Sequence, residues 1–155
     1  MTDGSLQKTL KVKIAELAPC SAHSQLTHHS HCRFLHGYSL QFKFTFSCAE
    51  LDEKNWVVDF GGLKPLKAWL EETFDHKVVL DSKDPHITDF QLLADKGLAE
   101  LTILDGVGVE KFAEHATKFA DQLVRNASGG RCWCVSCECA EHGANSAIFT
   151  DEGED

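Results

Sequence analysis

The sequence has no surplus of positive charge, no long apolar run and no apolar leader at its start. Lysine and arginine number 15 against 24 aspartates and glutamates, giving a formal net charge of −9 and a sequence pI near 5.4. A nucleic-acid binder needs a basic face for phosphates, so this balance argues against that class and predicts no nucleic-acid partner. No stretch approaches the roughly 20 apolar residues of a membrane helix, which predicts no membrane partner. The N-terminus lacks an apolar run of signal-peptide length, so the expected location is cytoplasmic. What is present suits one domain: 155 residues, 43% hydrophobic and 25% charged, enough chain to bury a core of its own. That domain is expected over residues 1–150, with 151–155 as an acidic, solvated tail. Seven cysteines in a reducing compartment do not suggest a disulfide framework; they are core residues, metal ligands or catalysts.

Leu10, Val12 and Ile14 alternate with Lys11 and Lys13, which predicts a half-buried strand. Residues 20–37 have no clear period and are expected to form a loop. The clearest strand follows, with Leu40, Phe42, Phe44 and Phe46 alternating with Gln41, Lys43, Thr45 and Ser47. Residues 49–55 are turn-like and 56–60 read as a short strand. After Gly61 and Gly62 a helix is expected, with Leu63, Leu66, Leu70 and Phe74 on one face and Pro65 in its first turn. A loop at 81–89, a short helix near 90–96 ended by Gly97, and a strand at 98–104 come next. A second amphipathic helix carries Val109, Phe112, Ala113, Ala116, Phe119, Ala120 and Leu123. Residues 131–139 read as a strand, and 147–149 as its hairpin partner across a turn at 143–146. Strands and helices mix without strict alternation, so the expected class is α+β with an antiparallel sheet.

The chemistry concentrates in the loop. His23, His28, His29, His31 and His36 fall within a short segment that also holds Cys32. Imidazole is a common zinc ligand, and a catalytic zinc takes three protein ligands plus an open position. The competing reading is a solvated polar loop. His86, His115 and His142 show no partner in the sequence and read as surface residues.

The order of residues resembles the 6-pyruvoyl-tetrahydropterin and 6-carboxytetrahydropterin synthase family. Cys20-Ser-Ala-His23 and Cys32-Arg-Phe-Leu-His36-Gly37-Tyr38 match its histidine segment and its reactive-cysteine loop leading into a strand. Trp56-Val-Val-Asp59-Phe60-Gly-Gly-Leu63-Lys64 looks like its Asp-Phe-x-x-Leu-Lys helix start, and Phe74-Asp75-His76-Lys77 like its Leu-Asp-His segment. Glu110 resembles the glutamate of its Pro-Thr-Ser-Glu helix start, and Val135-Ser136-Cys137-Glu138 the strand whose glutamate holds the pterin. One departure is Tyr38, where the family has a second strand histidine. The resemblance implies a tunnel fold (T-fold): a four-stranded antiparallel sheet with helices on one face, closing into an oligomeric barrel, a homohexamer built as a dimer of trimers.

It also implies a Zn2+ cofactor held by His23, His36 and a third ligand, which is Tyr38 or one of His28, His29 and His31. Cys32 is then the general base, with Asp75 and His76 as its relay, and Glu138 and Glu110 bind the pterin substrate. The implied reaction is a carbon–carbon lyase step from 7,8-dihydroneopterin triphosphate to 6-carboxy-5,6,7,8-tetrahydropterin, towards 7-deazaguanine (queuosine-type) compounds. A pyruvoyl-forming sibling and a pterin or zinc binder altered at Tyr38 stay open. The run Cys132-Trp-Cys-Val-Ser-Cys-Glu-Cys139 invites a cysteine–metal module instead. Strict alternation would put Cys132, Cys134, Ser136 and Glu138 on one face, and Trp133, Val135, Cys137 and Cys139 on the other, which favours packing over a metal.

Overall fold

The computed structural model describes residues 8–16, 21–23 and 34–151. In chain order these form β1 (Lys11–Glu16), β2 (Ser21–His23), β3 (His36–Tyr38), β4 (Gln41–Cys48), a 3-10 turn (Phe60–Leu63), α1 (Lys64–Phe74) and β5 (Val78–Asp81). They continue with α2 (Ile87–Asp95), β6 (Leu101–Leu104), α3 (Val109–Ser128), β7 (Cys132–His142) and β8 (Asn145–Thr150). Two four-stranded sheets result. One is antiparallel, in the order β1-β4-β7-β8; the other is mixed, in the order β3-β2-β5-β6. The α+β class with a four-stranded antiparallel sheet is therefore as expected.

The core lies between one face of the antiparallel sheet and helices α1 and α3. Phe42, Phe44 and Phe46 of β4 are fully buried there, against Leu66, Leu70 and Phe74 of α1 and Phe112, Ala113, Ala116 and Ala120 of α3. The Phe74 ring sits 5.0 Å from Phe42 and 5.0 Å from Phe112, so it joins the sheet to both helices. Trp69 stacks on Phe119 at 4.7 Å and closes the helix pair on its outer side. α3 stops at Gly129, whose φ of 64° is the left-handed conformation that glycine adopts without steric cost. α2 buries no side chain fully and packs beside β6, away from this layer.

Several local expectations are corrected. Residues 56–60 are not a strand. Asp52 accepts the Lys54 and Trp56 amides, and Asp59 accepts the Gly61 amide, so carboxylates bend this segment into turns. Arg131 then donates to the carbonyls of Glu50 at 2.7 Å and Val57 at 2.9 Å, using up groups that a strand would need. The stretch 20–37 is a loop only in part, because both its ends pair as β2 and β3. β5, a stretch that the sequence left unassigned before the expected loop at 81–89, lies in the middle of the second sheet. The apolar face of β1 is exposed: Val12 is 42% and Ile14 49% accessible, since the register puts them on the side away from the helices.

The faces of β7 also differ from strict alternation. Thr45 pairs with Ser136 but Phe46 pairs with Cys134, which leaves Val135 as an extra residue. Such a bulge reverses the inward-outward phase along the strand. Cys132, Cys134, Cys137 and Cys139 therefore all face the core and are buried. Replacing Phe74 by Ala removes the joint between sheet and helices. A loss of about 3–5 kcal/mol is expected in urea unfolding, and a loss below about 1 kcal/mol would contradict that central position.

Candidate active site

The second sheet arranges the family-like residues. β2 pairs antiparallel with β3, with Ser21 opposite Tyr38, Ala22 opposite Gly37 and His23 opposite His36. Its other side pairs parallel with β5, with Ala22 opposite Val78. Residues 23 and 36 are thus direct cross-strand neighbours, the closest kind of pair across an antiparallel ladder. The Asp75–His76 dipeptide enters the same sheet just before β5. Cys32, His28, His29 and His31 lie outside the described residues.

His36 is held in one tautomer. Its Nδ1 lies 2.7 Å from the Phe34 carbonyl. A carbonyl only accepts, so Nδ1 carries the proton and a neutral ring keeps its lone pair on Nε2, the form that binds a metal. Tyr38 is half-buried, its ring edge-on to His36 at 5.6 Å. It also lies 6.1 Å from the ring of His142, which arrives from the end of β7. The residues fit a zinc ion in kind: an imidazole oriented by a backbone carbonyl, a phenol edge-on to it, and a second histidine at the cross-strand position opposite. Among the described residues no group of three histidine, cysteine or carboxylate side chains gathers as a metal site.

Asp75 ends α1, and its Oδ1 accepts from Nδ1 of His76 at 2.9 Å. The Asp75 side chain is 30% exposed and that of His76 67%. His76 has φ 57°, a left-handed backbone that costs a non-glycine residue energy. Lys77 next to it forms an ion pair with Glu100, which holds the Glu100 carboxyl below the usual carboxylate range. That pair ties the start of β5 to the residue before β6.

Glu138 sits between Cys137 and Cys139 and so faces away from the helices; its Oε1 accepts from Ser146 Oγ at 2.8 Å. Glu110 is exposed in the first turn of α3, the layer that covers the other face. The described structure brings His36 and Tyr38 together, and Asp75 and His76 together. It does not place Glu110 and Glu138 on one face. The three histidines read as unpartnered each have one: His86 meets Asp89 at 3.2 Å, His115 the Asp105 carbonyl at 3.0 Å, and His142 the Ala144 amide at 3.3 Å. No sequence signal points from His142 to Tyr38, because a second irregularity in β7 between Ala140 and His142 sets that approach.

Burial pushes the thiol of Cys132 up to about 11 and that of Cys134 up to about 12, and lifts Cys137 and Cys139 as well. A metal-ligating cysteine, or one that attacks an external substrate, needs the opposite shift. Cys134, Cys137 and Cys139 are packing residues, as their burial implies.

The profile of the family described as 6-pyruvoyl tetrahydropterin synthase matches residues 16–152, and the chain belongs to that family. Over 68 residues it is 37% identical to 6-carboxy-5,6,7,8-tetrahydropterin synthase of Rickettsia bellii (strain RML369-C). That match covers 43% of this chain and 49% of the relative, so it spans about half the relative's length. An uncharacterised protein of Wolinella succinogenes superposes with a TM-score of 0.80 at 18% identity, over 95% of this chain and 100% of that one. The 6-pyruvoyl tetrahydropterin synthase of Plasmodium falciparum gives 0.66 at 12% identity, over 93% and 98%. That of Caenorhabditis elegans gives 0.63 at 15%, over 95% and 98%. These structures share the fold. Among the described residues no helix is long and apolar enough to cross a membrane.

The buried thiols set an alkaline limit. Their folded values stand above the ordinary 9.0, so the unfolded chain ionises first as pH rises. Their contribution to stability is complete below about pH 9 and drains away towards 11 and 12. The urea midpoint is expected to fall over this range, and Cys134→Ala to flatten the fall; equal slopes in both proteins would refute the assignment.

Proposed function

We propose that the protein is a cytoplasmic, zinc-dependent carbon–carbon lyase that converts 7,8-dihydroneopterin triphosphate to 6-carboxy-5,6,7,8-tetrahydropterin, a step towards 7-deazaguanine compounds. The observation that carries this reading is the β3-β2-β5 pairing, which sets residues 23 and 36 opposite each other beside the strand that Asp75 and His76 enter. The named relative from Rickettsia bellii favours the carboxy product over the pyruvoyl one. His23, His36 and a third ligand, Tyr38 or one of His28, His29 and His31, would hold a zinc ion, which would supply Lewis-acid stabilisation of charge on the substrate's side-chain oxygens.

The chain's own groups move the protons. Cys32 is the base that removes a proton from the substrate side chain, its thiol favoured as thiolate near a cation. Asp75 Oδ1 accepts a hydrogen bond from Nδ1 of His76, which orients the ring. Nε2 of His76 is left to exchange a proton with the reacting groups. Glu138 accepts two N–H bonds from the amino-pyrimidine edge of the pterin. Glu110, at the N-terminus of α3, completes pterin binding from a second copy. The left-handed backbone of His76 fits such a role, since strain of this kind persists where function requires it.

Assembly follows the same reading. β1 and β8 are the outer strands of the antiparallel sheet, and Val12, Ile14 and Ile148 are exposed on the side away from the helices. Sheets from three copies joined edge to edge would pair those strands and enclose that face, and two such rings stack as a hexamer.

Three measurements test this. The purified protein, given dihydroneopterin triphosphate, is expected to release acetaldehyde and the carboxypterin; a pyruvoyl product would identify the sibling reaction, and zinc with tight pterin binding but no turnover the altered binder. Cys32→Ala is expected to lower turnover by at least about 100-fold while the fold survives, and unchanged turnover would remove Cys32 from the mechanism. His76→Gly relieves the positive φ, so Tm is expected to rise while turnover collapses; a fall in Tm together with full turnover would contradict both claims.

A further inference from the structure

Five thiols are described, and four of them line the core side of β7. The fifth, Cys48, ends β4 and is half-buried. The register sets Cys48 directly opposite Cys132. The next pair along, Ala49 and Arg131, is joined by a hydrogen bond from the Ala49 amide to the Arg131 carbonyl at 2.9 Å. Antiparallel pairs alternate between hydrogen-bonded and non-bonded positions, so Cys48 and Cys132 occupy a non-bonded position. The Cys132 amide agrees with this: it turns away from β4 and donates to Ser128 Oγ at 3.0 Å. At such positions the Cα atoms come within about 4.5 Å, and side chains on one face stand closest. A disulfide needs Cα atoms about 4.4–6.8 Å apart.

We infer that Cys48 and Cys132 form a redox-responsive cross-strand pair, a modification site separate from the proposed pterin chemistry. The oxidant is a small disulfide of the glutathione class. The Cys48 thiolate attacks one sulfur of it, its S–S bond breaks, and one glutathione thiolate leaves. The Cys132 thiolate then attacks the Cys48 sulfur, the protein S–S bond forms, and the second glutathione leaves. The two protein thiol protons end on the released glutathiones, and the protein gives up two electrons. Cys132 is reached from within the protein although burial keeps larger reagents from it. A bridge forced onto directly opposed strands departs from relaxed geometry, and strained bridges are the easily reduced ones.

The position gives the bond an effect. It closes the base of the 49–57 segment, which Arg131 already holds through the carbonyls of Glu50, Trp56 and Val57. It also ties the end of β4 to the start of β7, positions far apart in sequence, where a crosslink restricts the unfolded chain most.

The full chain is incubated with oxidised glutathione, digested without reduction and mapped by mass spectrometry, and Tm is read before and after. A peptide linking Cys48 to Cys132 is expected, with a Tm rise that dithiothreitol reverses. Cys48→Ser is expected to fold, to give no linked peptide and to lose the Tm rise. Two results overturn the inference: glutathione attached to Cys48 without any link to Cys132, or a Tm rise that persists in Cys48→Ser. Either is distinguishable from failure of the lyase reading, because none of these measurements uses turnover.

Discussion

One surplus residue in β7 decides how the core and the outer face of the sheet are composed. Without the bulge at Val135, two of the four β7 cysteines would face outward and Glu138 would point into the helices. An ionised carboxylate among Phe44, Phe112 and Ala113 would lack both water and a partner, at a cost of several kcal/mol or more. The bulge lets Cys132 and Cys134 face the core without carrying Glu138, an even number of positions further on, to the same side. Cys137 and Cys139 complete the packing over the β4 phenylalanines, and Glu138 reaches the other side, where Ser146 meets it.

Much of this fold was legible in the residues, for reasons of periodicity. β4, α1 and α3 each repeat their apolar residues at the spacing of one element over several turns or pleats, and each forms close to the expected place. Short elements were less legible. β2 and β3 have three residues each, too few for a period, and exist because they pair with each other and with β5. The segment 56–60 looked like a strand by composition, but the side chains of Asp52, Asp59 and Arg131 bind its backbone first. The faces of β7 could not be read from alternation, since a bulge is a fact of pairing between two strands and leaves no mark on one.

The candidate site was legible in another way. Histidine density and the order of short motifs picked out His23, His36 and Tyr38, which lie on the paired strands β2 and β3. The tautomer of His36 is set by a bond to the carbonyl two residues before it, a detail of backbone shape that composition cannot supply. His142 is a similar case. Its nearness to Tyr38 depends on how a hairpin bends, and so the residue that flanks the one departure from the family pattern is invisible until the chain is folded.

The outward direction of Glu138 has a consequence for how such a protein would behave in solution. Under the proposed function, a ring anchored to a carboxylate on that side would meet strands beneath it and none of this chain's helices above it, so its remaining walls would have to come from neighbouring copies. Catalysis would then depend on protein concentration: diluting the enzyme below the dissociation constant of its assembly would lower the specific rate, even with every protomer intact. In the cell, the amount of enzyme made would set both the number of sites and the fraction of them that is whole.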